Sequence, residues 1–108
     1  VIALAGALLA PAAITAALAM PHDRAEARGC KPRVQGSVSF TCPPSSRVAC
    51  NAQRDARRRA VADWERNATG AYGPGFGSWG SVYLPTTRIE GGDGTWTYTV
   101  SAYPCPTR

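Results

Sequence analysis

The sequence predicts an α+β fold in which a small antiparallel sheet packs on one long Ala/Arg-rich amphipathic helix. Three observations predict it. Residues 34–41 alternate apolar and polar side chains, as a half-buried strand does. Residues 47–68 contain neither Gly nor Pro and are dominated by Ala and Arg, which are good helix formers. Residues 82–90 and 95–103 are rich in β-branched and aromatic side chains and flank a Gly-rich segment, the pattern of a β-hairpin.

The chain has 108 residues, the size of a single domain, and begins with an apolar segment. Residues 1–19 carry no charge, contain Pro11 and end in Ala17-Leu18-Ala19, small residues that suit a signal-peptide cleavage site. About 20 apolar residues also just span a bilayer core of roughly 30 Å, so a retained membrane anchor is the alternative. The Ala and Gly content and the mixed charges that follow favour cleavage.

The segment after the apolar residues is predicted to be a linker. Residues 20–31 are polar, short and without periodicity, and the domain is expected to cover residues 32–108. If residues 1–19 were kept with this segment in the cytoplasm, its basic residues would satisfy the positive-inside rule, but the cysteines would then lie in a reducing compartment.

Cys30, Cys42, Cys50 and Cys105 predict two disulfides, because an even number of cysteines in a small domain is typical of exported proteins. We therefore expect a periplasmic or extracellular protein. Three pairings are open; Cys30 with Cys105 and Cys42 with Cys50 is preferred because it bridges the termini and ties a strand end to the next helix. A zinc site is disfavoured, since no two cysteines are spaced as in a zinc knuckle and the single His22 lies in the predicted linker.

In the first predicted strand, Val34, Val38 and Phe40 share one side, and Gly36 marks a thin or bulged point. Cys42-Pro43-Pro44 ends the strand, because proline cannot continue a hydrogen-bonded ladder. Ser45 or Ser46 is suited to cap the helix that follows.

The predicted helix from Arg47 to about Ala68 has one apolar arc, formed by Ala49, Cys50, Ala56, Ala60, Val61, Trp64 and Ala68. Its densest basic group is Arg54, Arg57, Arg58 and Arg59. Arg57 lies near the apolar arc, where we expect its stem to cover the core with the guanidinium in water. The alternative is a guanidinium held against Trp64 or a carboxylate to organise a site.

Gly70 is predicted to end this helix, and Pro74 to begin a short second one. Tyr72, Phe76 and Trp79 have the i, i+4, i+7 spacing of one helix face, which favours core packing over disorder or a sugar-binding platform.

In the last strand one face is predicted to be buried and the other to meet water. The buried set is Trp96, Tyr98, Val100 and Ala102, and the water-facing set is Thr95, Thr97, Thr99, Ser101 and Tyr103.

The aromatic residues, glycines and cysteines between about Arg54 and Cys105 resemble those of a group of short exported proteins, mostly alphaproteobacterial, that lack an assigned activity. The residues that carry the resemblance are Trp64, Tyr72-Gly73-Pro74-Gly75-Phe76, Trp79, Trp96 and Ala102-Tyr103-Pro104-Cys105. The resemblance implies a shared scaffold and no particular chemistry. Members of the group often carry further cysteines in the hairpin, and this chain has Ile89 and Tyr98 there instead.

The residues disfavour several enzyme classes, and we expect no catalytic residue, no cofactor and no metal. Acyl transfer by a Ser–His–Asp or Cys–His set needs a His within the folded domain, and His22 lies outside it. A phosphate loop needs a Lys and a following helix, which Gly91-Gly92-Asp93-Gly94 lacks. The carboxylates available for glycoside hydrolysis are not spaced to face each other; they are Asp55, Asp63, Glu65, Glu90 and Asp93.

The remaining functional signal is positive charge: a net charge of +5, with 12 basic residues of which 11 are Arg. A solvated helix face is the simplest explanation. Attraction to an anionic envelope surface comes next, and nucleic-acid binding is disfavoured because exposed aromatics are not interleaved with the arginines.

From these observations we expect an exported small basic binding or structural module that associates with the cell envelope. One alternative is an accessory subunit of a membrane complex, anchored by residues 1–20 and docking through Tyr72, Phe76 and Trp79. Another is a secreted inhibitor or toxin-like factor.

Overall fold

The structure is a computed structural model that describes residues 21–43 and 50–107. Its elements in chain order are helix α1 (Pro21–Ala27), strand β1 (Val34–Thr41), helix α2 (Gln53–Tyr72), two 3-10 turns (Pro74–Phe76 and Trp79–Ser81), strand β2 (Tyr83–Gly92) and strand β3 (Thr95–Tyr103). The predicted α+β fold is confirmed. The expected apolar segment 1–19 and the expected helix cap at Ser45 or Ser46 lie outside the described residues.

The sheet has three antiparallel strands in the order β1-β3-β2, so β3 is the central strand. The predicted hairpin joins β2 and β3. Its loop is Asp93-Gly94, and both residues have positive φ, as the tight turn that fits the twist of a two-stranded ribbon requires. Ile89 and Tyr98, the two hairpin positions singled out above, lie directly opposite each other in this register.

Helix α2 packs on one face of the sheet through small residues and a single large one. Its buried residues Ala56, Ala60, Trp64 and Ala68 follow an i, i+4 row and meet Phe40, Tyr98, Val100 and Ala102 from the strands. The predicted thin point at Gly36 is where the helix crosses β1. A Cβ atom at Gly36 would overlap the Ala60 carbonyl and the Trp64 amide and lie 2.7 Å from Trp64 Cα.

The outer edge of β1 is closed by side chains of α2, which satisfy backbone groups that an edge strand would otherwise leave open. The Trp64 indole N–H donates to the Val34 carbonyl at 2.9 Å. Asn67 Nδ2 donates to the Gln35 carbonyl at 2.8 Å, and Asp63 accepts the Ser37 N–H at 3.0 Å. The helix is therefore fixed to the strand by hydrogen bonds as well as by burial.

The ends of α2 differ from the prediction. The helix begins at Gln53, not at Arg47, so Cys50 precedes it. Gly70, expected to end the helix, lies inside it, and the helix ends at Gly73, whose φ is +99° and whose N–H bonds to the Thr69 carbonyl at 2.8 Å. The physical reason is that glycine tolerates a helix interior at a cost of about 1 kcal/mol, whereas Pro74 cannot continue the α2 hydrogen bonds.

The predicted linker is also wrong in part, because residues 21–27 form helix α1. Ala25 is 1% exposed and packs with Cys30 and Tyr103 in a second, smaller core. The Lys31 N–H bonds to the Pro104 carbonyl at 2.7 Å, which joins this segment to the end of β3. A helix this short has too few turns to show periodicity, so the sequence pattern did not reveal it.

Both preferred disulfides are present: Cys30–Cys105, across 75 residues of chain, and Cys42–Cys50, across 8. All four cysteines are paired, which excludes the zinc alternative for them. Disulfides persist in oxidising compartments, so they favour an exported environment.

Within residues 21–43 and 50–107, no helix combines the length and the hydropathy needed to cross a bilayer.

Candidate anion-binding surfaces

The predicted basic group lies on the first two turns of α2. Arg54, Arg57, Arg58 and Arg59, here called the basic cluster, are all exposed. Arg58 pairs with Asp55 at 2.8 Å, but the two side chains are 77% and 58% exposed, so the pair contributes little. Within the described part of the chain, the other three arginines have no carboxylate at ion-pair distance.

The basic cluster lies where the helix itself is already positive. The dipole of an α-helix places partial positive charge at its N-terminus, where cations are unfavourable and anions are stabilised. The residue before the first turn is Ala52, which supplies no side-chain cap. Of the basic cluster, Arg54 lies in this first turn, so its charge adds to the positive potential of the helix N-terminus.

Apart from Asp55, which pairs with Arg58, the carboxylates of α2 are used elsewhere. Asp63 binds the edge of β1 and also pairs with Arg66 at 3.1 Å. The Glu65 carboxylate accepts a hydrogen bond from the backbone N–H of Trp79 at 3.0 Å, which fixes the second 3-10 turn to the helix. The acidic side chains thus hold the fold together at the C-terminal half of α2, and the excess of positive charge stays at the other end.

Arg57 is exposed, as the first of its two interpretations expects. It lines an open cavity of about 480 Å³ with Arg54 and Tyr98. The guanidinium is not stacked on Trp64, whose ring contact is Trp79, with the ring centroids 5.2 Å apart. Arg57 is therefore available to a ligand and takes no part in the core contact that the second interpretation suggested.

The five aromatic residues singled out in the sequence, Trp64, Tyr72, Phe76, Trp79 and Trp96, do not form one surface. Trp64 and Trp79 meet in the main core, Trp96 packs at its edge, and Tyr72 and Phe76 form a separate half-buried pair with centroids 6.4 Å apart. The predicted common face of Tyr72, Phe76 and Trp79 is wrong, because Gly73 ends the helix between the first two. Docking of a partner through all three rings would have to pull Trp79 out of its contact with Trp64.

Three cation–aromatic contacts at the α1 end of the molecule were not predicted from the sequence. The three contacts are Arg28 over Tyr83 at 4.3 Å, Lys31 over Phe76 at 5.3 Å and Arg33 over Tyr103 at 4.4 Å. Each joins residues far apart in the sequence, so no spacing rule could have found them. They hold the cations of residues 28–33 at fixed places on the surface.

The face of the sheet opposite α2 is rich in hydroxyl groups. Ser37 and Thr99 share a hydrogen bond at 3.1 Å, and Arg33 Nη1 donates to Ser101 Oγ at 3.2 Å. The prediction that this face of β3 meets water is wrong for Thr99 and Ser101, which are 8% and 7% exposed, and for Tyr103, which is 9% exposed. The reason is that β3 is central, so side chains from β1 and β2 cover its polar residues from both sides.

The chemistry available to these surfaces is recognition of anions by guanidinium and hydroxyl donors. In the part of the chain that the structure describes, no three His, Cys, Asp or Glu side chains come together as a metal site would require. Comparison with known proteins adds no family: no family model, curated protein or solved structure matches the chain.

Proposed function

We propose that this protein is an exported binding module, not an enzyme, that associates with the anionic surface of the cell envelope through the basic cluster. The observation that carries the proposal is that, among the residues the structure describes, Arg54, Arg57 and Arg59 on the first two turns of α2 have no carboxylate partner. A cation in the first turn, where Arg54 lies, destabilises the helix. Exposed arginines without such partners are free to bind an anionic surface outside the protein.

The expected interaction is reversible and electrostatic. Each Lys or Arg near an anionic membrane surface contributes about 1 kcal/mol, which is roughly a fivefold change in affinity. Three arginines together would change the affinity about a hundredfold. Surface charges of this kind are screened over about 10 Å at 0.1 M salt, so binding should weaken steeply as salt is added.

Vesicle sedimentation tests the proposal directly. The full chain is mixed with vesicles of phosphatidylglycerol and phosphatidylcholine, and the bound fraction is measured against salt. The triple variant Arg54→Gln/Arg57→Gln/Arg59→Gln should lose about a hundredfold in affinity. Arg66→Gln is the control, because Arg66 is another exposed arginine of the same helix but is paired with Asp63.

Two results would contradict the proposal. One is binding that survives about 0.5 M salt unchanged, because an attraction between exposed charges cannot do so. The other is a loss of affinity in Arg66→Gln as large as the fivefold expected for each arginine of the basic cluster, which would show that the position of the charges on α2 is unimportant. The melting temperatures of both variants establish that the fold is intact.

A further inference from the structure

We infer that the sheet face opposite α2 carries a binding site for a phosphate group, formed by Arg33 and Arg88 above a floor of hydroxyl groups. The site, here called the sheet site, is a shallow cavity of about 140 Å³. Its lining residues are Arg33, Gln35, Thr86, Arg88, Thr99 and Ser101. It lies on the other side of the sheet from the basic cluster, so it does not rest on the function proposed above.

The strand register brings these residues together. Ser101 lies between Gln35 of β1 and Thr86 of β2 in one cross-strand row. In the next row, Thr99 lies between Ser37 of β1 and Arg88 of β2. Side chains at alternate positions of a strand point to the same face, so both rows present their polar groups on the side away from α2.

Arg33 is held in place before any ligand arrives. Its guanidinium lies over the Tyr103 ring at 4.4 Å, and its Nη1 donates to Ser101 Oγ at 3.2 Å. Ser101 is itself 7% exposed, so this hydrogen bond is sheltered from water. A guanidinium has five N–H donors, and most of those of Arg33 stay free for an oxyanion while the stacking fixes its plane.

Arg88 can join the site at small cost. It pairs with Glu90 at 2.9 Å, but the two side chains are 63% and 67% exposed. Ion pairs that exposed are worth about 0–1 kcal/mol. An oxyanion placed between two guanidinium groups would therefore compete well with Glu90 for Arg88.

The geometry of the donors favours a tetrahedral anion. Arg33, just before β1, and Arg88 of β2 line the cavity, and the hydroxyls of Thr99 and Ser101 lie on the central strand. The Thr86 hydroxyl donates to the Ser101 carbonyl at 3.4 Å and so completes the floor without offering its proton to the anion. A carboxylate offers two oxygens in one plane, whereas a phosphate offers oxygens in several directions to donors that do not share a plane. A cavity of about 140 Å³ has room for one such group.

Amide and guanidinium NMR spectra of the full ¹⁵N-labelled chain test the inference, with inorganic phosphate as the probe and acetate as the planar control. We expect saturable shifts at Arg33 and Arg88 Nε–H and at the Ser101 amide with phosphate, and much weaker effects with acetate. A second arm uses vesicles of phosphatidic acid. Saturation by free phosphate identifies a small phosphate ligand, and a response to the vesicles alone identifies a phosphate headgroup.

Four substitutions make the test specific. Arg33→Gln and Arg88→Gln should each weaken phosphate binding about tenfold or more, the usual effect of losing a charge-assisted hydrogen bond. Glu90→Gln should tighten it several-fold, because it removes the competitor for Arg88. Arg66→Gln, on α2, should change nothing.

Three results would overturn the inference. The first is that neither inorganic phosphate nor the phosphatidic acid vesicles produce a saturable shift at the sheet site. The others are equal binding of acetate and phosphate, or equal effects of Arg88→Gln and Arg66→Gln on phosphate binding. Arg33 also packs on Tyr103, so its variant could lose stability. Arg88 is exposed on an edge strand, so we expect Arg88→Gln to leave the fold intact, and its effect on phosphate binding then decides the test. The triple variant of the basic cluster should bind phosphate at the sheet site as before, which separates the two proposals.

Discussion

Replacing Gly36 with Ala should push α2 away from the sheet and destabilise the domain. A Cβ atom there would lie 2.7 Å from Trp64 Cα and overlap two backbone groups of the helix, whereas ordinary contacts of a Cβ begin near 3.4 Å. The helix would therefore have to move by at least about 0.7 Å. Because the obstacle is backbone, no rotamer change relieves it. We expect a loss of about 3 kcal/mol in the free energy of unfolding, the upper end for overpacked cores.

Thermal and urea unfolding of the two proteins measure this effect. For a domain of this size, about 3 kcal/mol corresponds to a fall in Tm of about 12 °C or more. Gly70→Ala is the control, since Gly70 lies on α2 and a Cβ atom added there would have nothing within 4 Å. That change should stabilise the protein by about 0.5–1 kcal/mol. If Gly36→Ala were neutral or stabilising as well, the close approach of helix and strand described above would be refuted.

The other stability predictions concern the disulfides and Trp64. Replacing Cys30 and Cys105 with Ala should lower the free energy of unfolding by about 4.5 kcal/mol, and replacing Cys42 and Cys50 by about 2.5 kcal/mol, because the first bridge closes a far longer loop. Urea unfolding of both double variants measures the two losses. A larger loss in the Cys42 and Cys50 variant would contradict this prediction. Trp64→Phe should cost about 2–4 kcal/mol, because it opens a void in the core and leaves a β1 carbonyl without its indole donor. A loss below about 1 kcal/mol by the same assay would show that this hydrogen bond and its packing matter little.

The elements that the sequence predicted are those whose pattern repeats. The alternation over residues 34–41 located β1 to the residue, and the run of Ala and Arg revealed α2. Of the three cysteine pairings that the sequence left open, the preferred one is present, with a link between the termini and a link from the end of a strand toward the next helix. The basic cluster was found for the same reason: charge in neighbouring residues of a helix can be counted from the sequence alone.

What the sequence did not predict depends on contacts between distant residues. Ala25 is the one buried residue among residues 23–27 of α1, and the place of the helix is set by a core that Ala25 shares with Tyr103. The sheet site needs Arg33 and Arg88 to lie on either side of the same central strand, which only the strand order decides. Gly73, not Gly70, ends α2, and that choice depends on the proline that follows.

We propose that this domain acquires its fold in a compartment where thiols oxidise. Peptide mapping by mass spectrometry of the native protein, digested without reductant and with free thiols blocked, tests it most directly. We predict linked peptides for Cys30–Cys105 and Cys42–Cys50 and no blocked thiol. Four blocked thiols in native material that unfolds cooperatively at the temperature of the oxidised protein would contradict the claim.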